Sequence, residues 1–179
     1  MGRRRPAPPG SPTPDHRHAQ VRTRVAPAHP GTARGLIRDH DGRWLIVRPV
    51  QGPWWHLPGG LIEQDEPPSR ACQREIREEL GLELPPGPLF VVGWNPPRRP
   101  GSRAQFTFVF DMGVHVADDL AERIRLQHNE LLNWQWLRPH QARTLLHPDI
   151  ADRLDHAHAT RPSAAYHEAT PQPGPEPQR

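Results

Sequence analysis

Alternating hydrophobic and polar positions predict several β-strands along the chain. The clearest case is the segment AQFTFVFDM from Ala104, in which Phe106, Phe108 and Phe110 recur at every second position. A period of two places these rings on one face of a strand. Further strands are expected at 33–38, 43–48 and 89–94, and at Leu132, Trp134 and Trp136. The first two of these form a predicted hairpin, because Asp41 and Gly42 between them suit a tight turn.

A helical pattern lies between Pro67 and Gly81. Cys72, Ile76 and Leu80 follow one another at intervals of four, so they line up as one apolar stripe. Proline is tolerated at a helix start and glycine suits the left-handed residue that ends a helix. Helices are also expected at 139–146 and 149–158, whereas 122–126 fit either a short strand or a helical turn.

The length of 179 residues suits one domain with two tails. We assign the domain to residues 30–160, and we interpret residues 1–29 and 161–179 as tails without stable structure, because they are rich in proline and poor in apolar residues. No apolar run follows the arginines at 3–5, and no stretch of about 20 apolar residues occurs. A soluble cytoplasmic protein that does not enter a membrane is therefore expected.

Charge adds little to this interpretation. All 23 basic residues are arginine, and the net charge of +3 is too small to imply nucleic-acid binding. The single cysteine, Cys72, excludes an internal disulfide framework and lies on the apolar helical stripe, which favours a place in the core.

An unusual density of carboxylates surrounds the predicted helix. Glu75, Glu78 and Glu79 lie on one side of it, next to the apolar stripe. Carboxylates at these spacings repel by a few tenths of a kcal/mol per pair. Arg70 and Arg74 neutralise only part of this charge, whereas a hard divalent cation such as Mg²⁺ prefers oxygen ligands. The alternative is a solvated acidic face with ion pairs along the helix.

The complete pattern of this stretch favours the metal-binding interpretation. The pattern is Gly, five residues of any type, Glu, seven of any type, and then Arg-Glu-apolar-any-Glu-Glu-any-Gly-apolar. The residues that match it are Gly60, Glu66, Arg74, Glu75, Ile76, Glu78, Glu79, Gly81 and Leu82. A chance match has a probability on the order of 10⁻⁷ at ordinary residue frequencies. The stretch resembles the signature box of the Nudix hydrolases, and the preceding Trp55, Leu57, Pro58 and Gly59 resemble its usual lead-in.

The resemblance implies an α/β/α sandwich with a central mixed sheet, and hydrolysis of a nucleoside diphosphate linked to another moiety. It also implies Mg²⁺, with Mn²⁺ as an alternative. Glu78 and Glu79 would bind the metal, with Glu75 as a further ligand or as general base and the carbonyl of Gly59 completing the set. Two further roles stay open. Glu66 would either contact the metal indirectly or hold Arg74, which orients the carboxylates. Glu130 is a second candidate for the residue that activates water, and the alternative for it is a surface or capping role.

Four residues outside the box are candidates for substrate contact. Trp54 or Trp55 could stack on a nucleobase, while the other packs the loop. Arg98 and Arg99 could hold phosphate, because guanidinium groups offer paired donors. The alternative for both is a solvated position on the loop. The substrate itself stays open between ADP-ribose, a nucleotide sugar and a (d)NTP.

Two other classes of function are open. One is a catalytically inactive Nudix-fold sensor or scaffold that binds a nucleotide, although every box carboxylate is present. The other is isomerase chemistry on isoprenoid diphosphates, for which Cys72 is misplaced. A homodimer is compatible with the resemblance.

Overall fold

The computed structural model describes residues 28–159 and 165–168. The strands are β1 Gly31–Asp39, β2 Trp44–Pro49, β3 Gly59–Leu61, β4 Leu89–Asn95, β5 Gln105–His115, β6 Leu131–Leu137 and β7 Ala165–Glu168. The helices are α1 Pro68–Leu80, α2 Ala117–Arg123, α3 Pro139–Leu145 and α4 Pro148–Ala159. All five predicted strands and all three predicted helices are confirmed, with ends within a few residues of the predicted ones.

The strands form one mixed sheet. Their order is β6-β2-β1-β5-β4-β7, and the short β3 pairs with β1 beside β2. The pairs β1–β5 and β4–β7 are parallel, and the remaining pairs are antiparallel. Strand β1 therefore lies at the centre, where it contacts three other strands.

Alternation along the central strands supplies two separate cores. Ile37 and Leu45 pack with Ile76 of α1 on one face of the sheet. Their neighbours Leu36 and Trp44 point to the opposite face, where they pack with Leu154 of α4 and with α3. The expected α/β/α sandwich with a central mixed sheet is therefore confirmed.

Helix α1 has the ends and the buried face that the sequence predicted. Cys72, Ile76 and Leu80 are fully buried. Proline occupies the first turn, and Gly81 ends the helix in a left-handed conformation, with φ of 68° and an N–H bond to the Arg77 carbonyl. The buried stripe fixes the rotation of the helix about its axis, and this rotation decides where its carboxylates lie.

Two segments differ from the sequence interpretation. The stretch left open at 122–126 contains the end of a helix, α2, at Arg123, whereas 124–126 have no regular secondary structure. Leu120 of α2 is buried with residues of α1 and the sheet. Residues 165–168 lie within the predicted C-terminal tail, yet they form strand β7. Backbone pairing with β4 depends on an open sheet edge, and the composition of the tail gave no sign of it. Residues 1–27, 160–164 and 169–179 lie outside the described part.

Among the described helices, none combines the length and the apolar composition that a membrane crossing requires.

Contact between Gly35 and α1 gives a test of this packing. A Cβ at Gly35 would lie 2.6 Å from the Ile76 Cδ1 and 2.7 Å from the Met112 Cγ. We expect Gly35→Ala to lower the free energy of unfolding by about 1–3 kcal/mol, because the core becomes overpacked. Ile76→Val removes the nearest methyl group and should cost less in the Gly35→Ala background than in the wild type, where about 0.5–1.5 kcal/mol is expected. Urea unfolding of the four proteins measures this coupling, and additive losses would contradict it.

Candidate active site

The loop before α1 passes unusually close to the central strand. A Cβ at Gly59 would overlap the carbonyl oxygen of Ala33 and lie 2.7 Å from the Cα of Arg34, and φ at Gly59 is 127°. Only glycine fits this approach and this conformation. The Gly59 N–H donates to Oε2 of Glu79 at 2.7 Å. The Gly59 carbonyl accepts from Nη1 of Arg34 at 2.9 Å. The backbone of this one residue therefore joins the box helix to β1.

Arg74 organises the other carboxylates of the box. Its Nε and Nη2 donate to the two carboxylate oxygens of Glu66, each at 3.0 Å. Its Nη1 donates to Glu75 at 2.9 Å and to Glu78 at 3.0 Å, and Nη2 also donates to the Leu61 carbonyl at 3.0 Å. These contacts raise the pKa of Arg74, the bond to Glu66 most strongly. One guanidinium thus holds three carboxylates.

Glu79 differs from the other box carboxylates in its burial. Its residue surface is only 7% exposed. Loss of hydration raises the pKa of Glu79 to about 7, against the Gly59 N–H bond and the charge of Arg34, which both favour ionisation. Burial also raises the pKa of Glu75. The charge of Glu130, an exposed residue just before β6, adds to both upward shifts, so this carboxylate is electrostatically coupled to the box.

In this structure the carboxylates of the box do not all surround one point. Within residues 28–159 and 165–168, no three His, Cys, Asp or Glu side chains are grouped closely enough to hold a metal ion. Glu75 and Glu78 converge on the Nη1 of Arg74, and Glu79 is turned to the Gly59 N–H. Gly60 has no room for a side chain beside Glu75, since a Cβ there would lie 2.5 Å from the Glu75 Oε2.

A pocket of about 290 Å³ opens on the other side of Arg34. Its walls come from β1, from the turn around His56, from the β4–β5 connection and from the start of α4. The lining residues are Thr32, Arg34, His56, Asn95, Pro96, Arg98, Ser102, Arg103, Gln105, Thr107, His147, Ile150 and Arg153. Arg34 therefore lies between the pocket and the box.

The structure separates the predicted substrate residues. Arg98 lines the pocket and donates to Asp149 at 2.7 Å, whereas Arg99 is exposed and is not part of the lining. Trp55 is only 8% exposed and packs in the core beside α3 and α4, so it serves the loop-packing alternative. Trp54 is 38% exposed and contacts the pocket residue His147 edge to face, with ring centroids 5.6 Å apart.

Three functional candidates of the pocket were missed at the level of sequence. Arg34 is a charged residue inside a central strand, and His56 precedes the box by only a few residues. Arg153 occupies the buried face of α4 with Ile150 and Leu154. An arginine at a position where the helical period requires an apolar residue is the signal that was available.

Comparison with known proteins identifies the family. Residues 28–158, which are well over half of the chain, match the family model of the NUDIX domain. The chain belongs to the NUDIX family, as its box residues indicated.

Individual relatives agree with this assignment. An RNA pyrophosphohydrolase of Halorhodospira halophila is 31% identical over an alignment of 118 residues. The match covers 57% of this chain and 62% of that protein. An ADP-ribose pyrophosphatase of Methanocaldococcus jannaschii is 32% identical over an alignment of 101 residues, and the match covers 52% of this chain and 60% of that protein. The chain thus spans less than two thirds of these curated relatives. The crystal structure of a MutT protein from Methanosarcina mazei Go1 shares the fold, with a TM-score of 0.62, 22% identity, and coverage of 75% of this chain and 96% of that one.

The buried imidazole of His56 gives a prediction for stability against pH. Burial, together with the charges of Arg34, His147 and Arg98, lowers the pKa of His56 from 6.5 to about 4. Between these values the unfolded chain binds a proton that the folded chain does not, so stability falls as the pH falls from 6.5 to 4. We expect this loss to reach about 2–3 kcal/mol near pH 4.

The measurement is the free energy of unfolding across pH 4–8 for the wild type and for His56→Gln. The wild-type curve should decline more steeply below pH 6.5, because glutamine does not titrate. Parallel curves for the two proteins would contradict the assignment.

Proposed function

We propose that the protein hydrolyses a pyrophosphate bond in a nucleoside diphosphate linked to another moiety, with Mg²⁺ or Mn²⁺ as cofactor. The observation that supports this most directly is the shared contact of Glu75 and Glu78 with one cationic group, Nη1 of Arg74. Two carboxylates on one helix thereby point to the same place, with Glu79 on the next turn facing the loop.

The donor set fits a hard divalent cation. Carboxylate and backbone carbonyl oxygens are the ligands such ions prefer, and Glu75, Glu78, Glu79 and the Gly59 carbonyl supply them. Arg74 need not leave the site for this. Its Nε and Nη2 are fixed by Glu66 and by the Leu61 carbonyl, so only Nη1 would release its two partners. Glu66 therefore serves the alternative in which it holds Arg74.

The chain's own residues would divide the work. Glu78 and Glu79 would hold the metal with the Gly59 carbonyl, and Glu75 would be a further ligand or the general base. Glu130 is the second candidate for the base, since its charge acts on both Glu75 and Glu79. When bound, the metal would neutralise charge on the bridging phosphates and lower the pKa of a coordinated water. Arg74 would keep the carboxylates oriented.

The pocket beyond Arg34 would receive the part of the substrate next to the pyrophosphate. Arg98 lines this pocket, and Trp54 lies beside it through His147. Both are therefore retained as substrate contacts, whereas Trp55 is assigned to the core. ADP-ribose, nucleotide sugars and (d)NTPs all carry the required bond. The cytoplasmic location and the homodimer stay predictions of the sequence.

Replacement of Glu79 by glutamine tests the proposal. We expect Glu79→Gln to lower kcat by about 10²–10⁴, because a carboxylate central to charge neutralisation is lost. The measurement is Mg²⁺-dependent hydrolysis of ADP-ribose, UDP-glucose, NADH, dinucleoside polyphosphates and (d)NTPs, with EDTA as the metal-free blank. Glu83→Gln is the matched control, since Glu83 is an exposed carboxylate just past α1 and should leave activity unchanged.

An active Glu79→Gln protein would contradict these roles. Nucleotide binding by a wild-type protein that hydrolyses none of the compounds would instead support the inactive sensor or scaffold.

A second test concerns the positioning role of Arg74. Lysine has no planar fork and cannot bind Glu66, Glu75 and Glu78 together. We expect Arg74→Lys to reduce kcat about 10–100-fold and to raise the Mg²⁺ concentration for half-maximal activity, with little change in KM for the nucleotide. Arg70→Lys is the control, because the side chain of Arg70 is exposed and its hydrogen bond within the described part of the chain is a long one, 3.4 Å to Gln73. Equal kinetics of the two variants would refute the role.

A further inference from the structure

Four arginines line the pocket beyond the box, namely Arg34, Arg98, Arg103 and Arg153. None of the described lining residues is acidic. Asp149 is a carboxylate in contact with this group, since it accepts from Arg98 at 2.7 Å and lies 3.6 Å from Nδ1 of His147. Glu79 and Glu75 act on Arg34 from the side of the box, so the positive charge of the lining is only partly offset.

Arg153 forms the buried end of this group. Its residue surface is 1% exposed. Nη2 donates to the Asn95 amide oxygen at 2.5 Å, whereas Nε is buried and has no hydrogen-bond partner among the described residues. Burial lowers the pKa of Arg153 to about 10, a direction that the charges of Arg34 and Arg98 reinforce. A buried guanidinium is costly unless an anion and full hydrogen bonding compensate it.

Space for this guanidinium is made by the strand beneath it. Gly93 lies in the middle of β4, and a Cβ at that position would overlap the guanidinium of Arg153. Glycine within a strand often marks a close approach of another group. The absence of a side chain at Gly93 thus leaves space for the guanidinium of Arg153 at the base of the pocket.

The rest of the lining suits a polar ligand. The Asn95 amide nitrogen donates to Thr107 Oγ1 at 3.0 Å, and Thr107 Oγ1 is also 3.0 Å from Thr32 Oγ1. No aromatic ring wider than the imidazoles of His56 and His147 is among the described lining residues. The volume of about 290 Å³ is at the small end of ligand pockets, and it suits one sugar or base with an attached group.

We infer that this pocket selects substrates with an anionic group, a phosphate or a carboxylate, on the moiety beyond the cleaved pyrophosphate. The inference rests on the proposed function, because the bond to be cleaved is taken to lie at the box. The anionic group would be bound by the guanidinium groups of Arg98 and Arg103 at the rim and of Arg153 at the base. Their paired N–H donors suit the oxygens of a planar carboxylate or a tetrahedral phosphate. Arg34 connects this subsite to Gly59.

Binding measured without divalent metal tests the inference apart from catalysis. Two pairs of compounds differ by one anionic group on the moiety linked to the nucleoside diphosphate: ADP-ribose with its 1″-phosphate derivative, and UDP-glucose with UDP-glucuronate. Calorimetry with the full chain in EDTA should give at least about 10-fold tighter binding for the charged member of one pair. A preference in the first pair identifies phosphate, and one in the second identifies carboxylate. Equal affinities within both pairs would overturn the inference.

Variants then locate the preference. Arg98 and Arg103 are both exposed, so the double variant Arg98→Gln/Arg103→Gln should keep the fold, as thermal unfolding would verify. We expect its preference to fall below about 2-fold, since two charge-assisted contacts are lost. Arg123→Gln, on the opposite face of the sheet, removes one arginine charge outside the pocket and should retain the preference. A preference that persists in the double variant would place the anion elsewhere and overturn the inference.

The two proposals fail in different ways. Turnover with Mg²⁺ at equal KM for the two members of each pair, in both pairs, would refute the anionic subsite and leave the hydrolase function intact. A binding preference in EDTA without turnover of any compound would refute the hydrolase function and leave the subsite intact.

Discussion

The close approach of the Gly59 peptide to strand β1 is the constraint on which the site depends. A side chain at that position has no space, because the Ala33 carbonyl and the Arg34 Cα lie against it. Gly59 then uses both of its backbone polar groups, with its N–H on Glu79 and its carbonyl on Arg34. Each of these side chains comes from a different element, so the backbone of one residue links the box helix to the central strand.

Helix α1 and its carboxylates could be predicted from sequence because their geometry is local. Residues three and four positions apart share a helix face whatever the remaining chain does. The stripe of Cys72, Ile76 and Leu80 fixed the buried side, and Glu75, Glu78 and Glu79 followed from it. What local spacing could not give is the partner of each carboxylate. The bidentate pairing of Glu66 with Arg74 was only one of two stated alternatives.

The pocket was largely beyond prediction because it depends on contacts between distant parts of the chain. Gly93 and Arg153 are separated by 60 positions, and only their juxtaposition explains a glycine inside β4 and an arginine on the buried side of α4. The two tryptophans show the same limit. Although they are neighbours in sequence, Trp54 lies at the surface and Trp55 lies in the core. The difference depends on the contact of their loop with α3, where the Trp55 N–H donates to the Leu145 carbonyl. Strand β7 likewise depends on the open edge of β4.

Arg34 is shared between two neighbourhoods, and this has a thermodynamic consequence. Its charge favours the ionised form of Glu79 on one side and opposes protonation of His56 and Arg153 on the other. Electrostatic free energy is mutual, so an anion that enters one neighbourhood alters affinity for a cation in the other by the same factor as the reverse. The charge of Arg34 contributes to both neighbourhoods, so its loss would change the electrostatics of both at once.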